Sequence, residues 1–290
     1  MAGPYTGIVQ YGQWGATPTP TIALHVTGGE VGPPKSPINH REGVYAQDRM
    51  SGGMLEYSGR LDFIPFSENC GTLIEYAVRT AYTSPAMTGL AFEGGVGGLN
   101  GWLHTGCNID TLELAQAVND PLTASIGWQG TGGSRVAAPS PIAPGDGNPY
   151  EWFYSTFTFD VGTFDLQSIR LRLANGIRPG SSLDEKAATS KRKPEFLRVG
   201  SEQVSLALVM ASELSSTSLD AMDDDAIDVD IDLVWVASNG ARKLTITLSD
   251  FACAGIAMPF MSPDGDVAWN VELEGKRNNA GTLSIVEATV

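Results

Sequence analysis

Residues 226–238, AIDVDIDLVWVAS, alternate acid and aliphatic side chains over seven consecutive positions. Side chains of a strand point to opposite faces in turn, so this period marks a half-buried β-strand. Val229, Ile231 and Leu233 then share one face, and Asp228, Asp230 and Asp232 share the other. Three like charges roughly 7 Å apart repel one another, so their face must meet water, cations or something the protein keeps off its wall. The same period recurs in GGMLEYSGRLDFIPF, FDLQSIRLRLA and DVAWNVELEGK. A chain patterned this way is all-β. With 34 glycines, 17 prolines and 42% hydrophobic residues, it is turn-rich and globular. One stretch, SENCGTLIEYAVRTAYTS, has helical spacing instead: Leu73, Ile74, Ala77, Val78 and Ala81 form an apolar stripe, with Ser67 as the expected N-cap and Gly59 upstream as an expected bulge.

Several classes fall away on charge and spacing. Eighteen Lys and Arg against 33 Asp and Glu give a net charge of −15, which repels a polyanion instead of gripping it. Cys70, Cys107 and Cys253 are too few and too scattered for a disulfide framework. Cys107 near His104 has no second pair at ligand spacing, so it reads as a small buried thiol and not as a metal or nucleophile pair. His25, His40 and His104 sit in unlike contexts, with no triad order or phosphate loop; GGVGGLNG precedes a strand and reads as a loop. The acidic cluster Asp223, Asp224 and Asp225 lacks the glycine and terminal glutamate of a calcium loop. The expectation is a non-catalytic protein with no cofactor and no metal. The opening MAGPYTGIVQYG carries no charged-then-apolar leader and no run is long enough for a membrane span, so the chain is expected to be made in the cytoplasm.

Organisation along the chain suggests duplication. Residues 1–20 are rich in Gly, Thr and Pro and read as an arm; residues 134–150 hold Pro139, Pro141, Pro144 and Pro149 and read as a linker. Between and after them lie 21–133 and 151–290. Each runs through a strand ending in a turn (TGGE in the first), a long irregular loop, a strong strand, a helix-like piece (72–81; 218–225) and three further strands. The last strands end at Gly130 and Gly275. Element order, more than letter identity, carries the repeat.

With HTGCNIDTLELAQAVNDPLTASIGWQG in the first half, and DLQSIRLRLANGIRP, RKPEFLRVGSEQVSLALVMA, RKLTITLSDFACAG and VAWNVELEGK in the second, the sequence resembles the tail tube proteins of long, flexible-tailed bacteriophages. The resemblance implies tandem β-sandwich tube domains with a short flanking helix, whose hairpins join into a β-barrel on ring assembly. It implies stacked rings forming a DNA conduit in the virion, and as partners other copies of the chain, the tape measure, terminator and distal tail proteins, and DNA in transit. Single-domain members are expected to form hexameric rings, so a duplicated chain would close with three. On this basis Asp228, Asp230 and Asp232 are expected to face the lumen. A ten-residue strand spans roughly 33 Å, a length over which duplex DNA carries on the order of 20 charges, and facing carboxylates keep phosphates from adhering.

A second feature fits assembly. Residues 178–195 form a long connection containing Lys186, Lys191, Arg192 and Lys193, the concentrated positive charge of an acidic chain. They are expected to contact the adjacent ring, with Asp223, Asp224 and Asp225 as the acidic counterpart. The competing reading is a β-sandwich carbohydrate-binding module using Trp102, Trp128 or Trp152, which would be monomeric.

Overall fold

A computed structural model describes residues 7–13, 22–33, 55–67, 70–78, 90–96, 101–137, 147–160, 164, 166–180, 194, 196–198, 200, 203–210, 229–257, 269–275 and 283–289. The first half contributes β1 (Gly7–Gln13), β2 (Ile22–Ala23), β3 (His25–Val31), β4 (Tyr57–Ile64), α1 (Gly71–Ala77), β5 (Leu90–Val96), β6 (Gly101–Ala117), β7 (Thr123–Gly130) and β8 (Gly132–Val136). The second contributes β9 (Tyr150–Phe159), β10 (Leu166–Ala174), β11 (Arg178–Gly180), β12 (Phe196–Arg198), β13 (Gln203–Met210), β14 (Val229–Ala237), β15 (Arg242–Ala257), β16 (Trp269–Gly275) and β17 (Leu283–Thr289). Among the described residues the fold is all-β with one short helix.

Each half is organised by one long strand that serves two sheets. Residues 101–107 of β6 lie between β5 and β8, while residues 108–117 lie between β7 and β10. In the second half, residues 242–251 of β15 lie between β14 and β17, and residues 251–257 pair with β16. The pairing orders match: β3–β4–β7–β6 corresponds to β10–β13–β16–β15, and β1–β5–β6–β8 to β9–β14–β15–β17. The irregularities match too. Register slips at Val26/Gly28 and Leu166/Ser168, at Ile109/Thr111 and Cys253/Gly255, and at Leu90/Phe92 and Val229/Ile231. Inside the last pair of bulges sit Gly106 and Asp250, with φ of 59° and 60°. A bulge is a specific backbone device, so three coincident bulges are strong structural correspondence.

The halves are joined by β6 and β10, which pair from Ser168↔Ala117 to Ala174↔Thr111. The result is one continuous antiparallel sheet, β3–β4–β7–β6–β10–β13–β16–β15, covered on one face by the other two sheets and by α1. Alternation drives this: Leu61 and Phe63, Ile126 and Trp128, Leu171 and Leu173, Leu206 and Leu208 all turn to the covered face and are buried. Phe92 of β5 stacks on Trp128 of β7 across the layers, with 4.1 Å between ring centroids.

Polar groups at the junction are tied rather than stranded, as burial demands. The buried Asn175 side chain donates to the carbonyls of Ala77 and Ile109, both at 2.8 Å. The bulged Asp110 accepts from the backbone N–H of Ile177 at 2.6 Å. Gln116 of β6 accepts from the Trp235 indole at 2.6 Å, linking the halves through the core.

Several local expectations change. Gly59 lies in regular register opposite Trp128 and Val31; it is not a bulge but a gap, since a Cβ there would collide with the Trp128 ring and the Glu30 carbonyl. TGGE is not a terminating turn: β3 continues through it, with a bulge and Gly29 at φ 113°. Ser67 does not cap the helix. Its hydroxyl accepts from Asn148 N–H, and the helix begins at Gly71, where Cys70 supplies the carbonyl for Ile74 N–H. Part of the stretch expected to be an arm is β1, paired with β5, and β8 reaches into the stretch expected to be a linker. Gly94 and Gly95 lie within β5 instead of in a loop. The long connection has a two-stranded base, with Arg178 opposite Arg198 and Gly180 opposite Phe196. The helix-like piece expected at 218–225 lies outside the described residues.

Candidate functional site: two solvent-facing sheet surfaces

Two polar surfaces are available, one on each layer. Asp230 and Asp232 are exposed on β14, while Val229, Ile231, Leu233, Trp235 and Ala237 are buried beneath it. The alternation read from sequence therefore holds across this strand. β14 is not a sheet edge: β9 and β15 flank it. Both carboxylates have local work. Asp232 accepts from the Thr247 hydroxyl at 2.7 Å, and Asp230 accepts from the backbone N–H of Asp250 at 3.1 Å, holding the positive-φ bulge of β15. Asp228, Asp223, Asp224, Asp225, Lys186, Lys191, Arg192 and Lys193 lie outside the described residues.

The second surface is the uncovered face of the continuous sheet. Its charged side chains were legible as outward positions of alternating strands but were not singled out. They are Glu30, Arg60 and Asp62 on β3 and β4, Glu113 on β6, Arg170 and Arg172 on β10, and Glu272 and Glu274 on β16. Arg60 contacts Asp62 at 3.2 Å and donates to Ser125 at 3.1 Å; Arg170 contacts Glu113 at 3.4 Å across the junction. Such exposed pairs contribute about 0–1 kcal/mol each, so their effect is chiefly to neutralise the arginines. Five carboxylates against three arginines leave the face weakly acidic. The face is concave where the halves meet: a hollow of about 610 Å³ is lined by Ala115, Ala117, Thr123, Ser168, Arg170 and Ala207.

The His104 and Cys107 neighbourhood is structural. The Trp128 indole donates to His104 Nδ1 at 3.2 Å, which leaves Nε2 protonated to donate to the Gly32 carbonyl at 2.8 Å. Both nitrogens are engaged, and burial lowers the His104 pKa, with the Gly32 bond opposing. Burial pushes the Cys107 thiol far up, away from thiolate chemistry. Among the described residues, no three His, Cys, Asp or Glu side chains gather to hold a metal ion, and no helix is long and apolar enough to cross a membrane. Trp128 is buried and Trp152 packs against the core beside Phe157, so neither forms an open sugar platform.

An all-β chain with two matching strand orders and one continuous sheet matches a known family. The family model described as phage tail tube protein matches residues 2–276. The chain belongs to the phage tail tube protein family. It is a structural subunit of the viral tail, a virion component that assembles with itself and with other tail proteins. No curated protein matches the chain.

Proposed function

We propose that the uncovered face of the continuous eight-stranded sheet is the wall of the DNA channel, and that the β14 surface lies on the tube exterior. The observation that carries this is the β6–β10 pairing. A closed channel needs a sheet that runs unbroken from one repeat to the next, which abolishes open edges. Among the described residues, the sheet containing β14 does not pair with its counterpart in the first half. This reading moves the lumen-facing role from Asp228, Asp230 and Asp232 to Glu272, Glu274, Glu113 and their neighbours. A polar, weakly acidic, concave wall repels phosphates at contact while salt screens the repulsion within about 8 Å. The role is mechanical, with no catalytic step and no cofactor.

The tandem reading, two tube domains per chain, rests on the matching strand orders and bulges. It sets the stoichiometry. Strands about 4.8 Å apart and tilted by roughly 40° give a 24-stranded barrel about 48 Å across between backbones. Side chains take roughly 5 Å from each wall, leaving about 38 Å. Two chains, sixteen strands, would leave about 22 Å, barely the width of a duplex of roughly 20 Å. Three chains form the smallest ring that passes hydrated DNA, as a threefold assembly of six repeats. Lys186, Lys191, Arg192 and Lys193, on the connection above the β11–β12 base, then contact the next ring, with Asp223, Asp224 and Asp225 as their acidic partners. The tape measure, terminator and distal tail proteins are the expected further contacts.

Two charge reversals test the wall. Glu272→Lys with Glu274→Lys should slow genome ejection severalfold, whereas Asp230→Lys with Asp232→Lys should leave ejection near normal. The opposite ranking, or a tube reconstruction with β14 inside, would overturn the assignment. Six chains per ring would overturn the stoichiometry.

A further inference from the structure

We infer that Arg172 is a phosphate-contact point on the channel wall, one guanidinium per chain at which the passing duplex is briefly held. The inference rests on the wall assignment above and deepens it: the wall is not uniformly repulsive.

Register places the wall charges. One row of directly opposed residues crosses β4, β7, β6, β10, β13 and β16 as Asp62, Ser125, Glu113, Arg172, Ser205 and Glu274. The neighbouring row, toward the β6–β7 turn, carries Ala115, Arg170, Ala207 and Glu272 on β6, β10, β13 and β16.

Two of the three arginines on this face are already engaged. Arg60 contacts Asp62 and donates to Ser125. Arg170 lies opposite the small Ala115, which leaves room for it to cross diagonally to Glu113, Nε to Oε1 at 3.4 Å. Diagonal neighbours of an antiparallel pair are within reach of long side chains. Glu113 is thereby drawn away from Arg172, the residue directly opposite it. On its other side Arg172 faces Ser205, and its diagonal neighbours are Thr111 and Ala115 on β6 and Gln203 and Ala207 on β13. None of these is a carboxylate. Arg172 is exposed and, among the described residues, makes no ion pair. The free carboxylate on its own row, Glu274, sits two strands away, about 10 Å across the sheet.

An unpaired guanidinium presents donors in a fixed fork that matches phosphate oxygens two at a time. Duplex DNA carries a charge about every 1.7 Å along its axis, so a phosphate is always close to the level of the side chain. In a bore of about 38 Å, a centred duplex of roughly 20 Å leaves about 9 Å on each side. That gap is close to the screening length of about 8 Å, so the attraction acts as the duplex drifts toward the wall. Glu272 and Glu274, exposed on the same wall and without an ion pair among the described residues, push the duplex off again. Contact is therefore short, and passage continues against a drag set by Arg172.

Ejection from virions carrying variant tubes, timed by the fluorescence of a DNA-binding dye, tests this. Arg172→Gln should eject about two- to fivefold faster than the parent at low salt, the range that an exposed ion contact supports. The difference should shrink as salt rises, because screening weakens a contact that the variant already lacks. Arg172→Lys, which keeps the charge without the fork, should restore most of the drag. Arg135→Gln makes the same charge change at an exposed residue of β8, outside the continuous sheet, and should match the parent. Parental speed in Arg172→Gln, with Glu272→Lys and Glu274→Lys together slowing ejection, would overturn the contact and leave the wall assignment standing. No effect from either change would remove the wall assignment itself. Equal acceleration by Arg135→Gln would reduce the effect to net charge and overturn the contact. Loss of tails in Arg172→Gln would give the side chain an assembly partner, and would overturn it as well.

Discussion

The two halves share a strand order and three bulge positions among the described residues, with different side chains at their tightest points. Opposite Gly59, the first half packs Trp128; at the same register the second half packs Leu206 against Leu273. The bulge at φ near 60° holds Gly106 in the first half and Asp250 in the second. His104 in the first half, buried between Trp128 and Gly32, corresponds to Leu248. The difference teaches that volume and register are kept as sums over neighbours, not residue by residue. A large ring beside no side chain fills the same layer as two leucines.

Breaking that sum should give the largest effect. Gly59→Leu copies the second half's residue into the first without its partner, driving a side chain into the Trp128 ring and the Glu30 carbonyl. Overpacking of this kind is expected to cost about 3 kcal/mol or more, lowering Tm of the unassembled protein by roughly 6–12 °C. Adding Trp128→Leu should recover a large part of the loss, because it restores the leucine pair of the second half. Urea unfolding of both single variants and the double variant reads the coupling; additive losses would mean that the two positions are not one packing unit.

This substitution logic also explains what the letters hid. The strand order within each half was legible because period-2 alternation and turn residues survive when side chains are exchanged. The acid face of β14 was legible for the same reason, and Val229, Ile231 and Leu233 are buried as the pattern required. Which water the face meets was not legible: alternation distinguishes covered from uncovered, and both sheets have an uncovered face. Ile169 to Ala174 and Val271 to Gly275 carry the same period with arginine and glutamate outward, but mixed sign made them less conspicuous than three aspartates. β1 and the continuation of β3 were missed because glycine suppresses strand propensity, although pairing with β5 and β4 overrides it. Ser67 was read locally as a cap, yet its partner is Asn148, 81 residues away.

The bulges sharpen the comparison at an intermediate scale. Gly106→Asp places a side chain against the Thr131 hydroxyl and keeps a left-handed φ, and it is expected to cost about 1–3 kcal/mol. The reciprocal Asp250→Gly removes strain and keeps the backbone N–H that Asp230 holds, so its net effect should lie within about 1 kcal/mol of zero. Unfolding midpoints of the two variants should therefore be clearly unequal. Equal losses would show that the two bulges are packed alike, against the difference in their neighbours.

The smallest effect separates the halves by pH. His104 is held neutral by burial, with its pKa below the usual value near 6.5, while Leu248 at the matching site cannot titrate. Once the pH drops below the unfolded value, the unfolded chain takes up a proton that the folded chain refuses, so stability falls. Above that pH the group is neutral in both states and contributes no slope. Each unit between the folded and unfolded pKa is worth about 1.4 kcal/mol. Protonation would also put a proton on the Nδ1 that accepts from Trp128, breaking that bond to β7 while the Nε2–H bond to Gly32 is kept. His104→Gln keeps a donor and an acceptor but does not titrate, so the loss of stability between pH 7.5 and 5.5 should be smaller in the variant than in the parent. Carboxylates common to both proteins cancel in that difference. Hydrogen exchange should localise the parent's extra loss to the start of β6 and the end of β7, with the second half unchanged. Identical pH slopes in the two proteins would show that His104 is not what makes the halves respond differently.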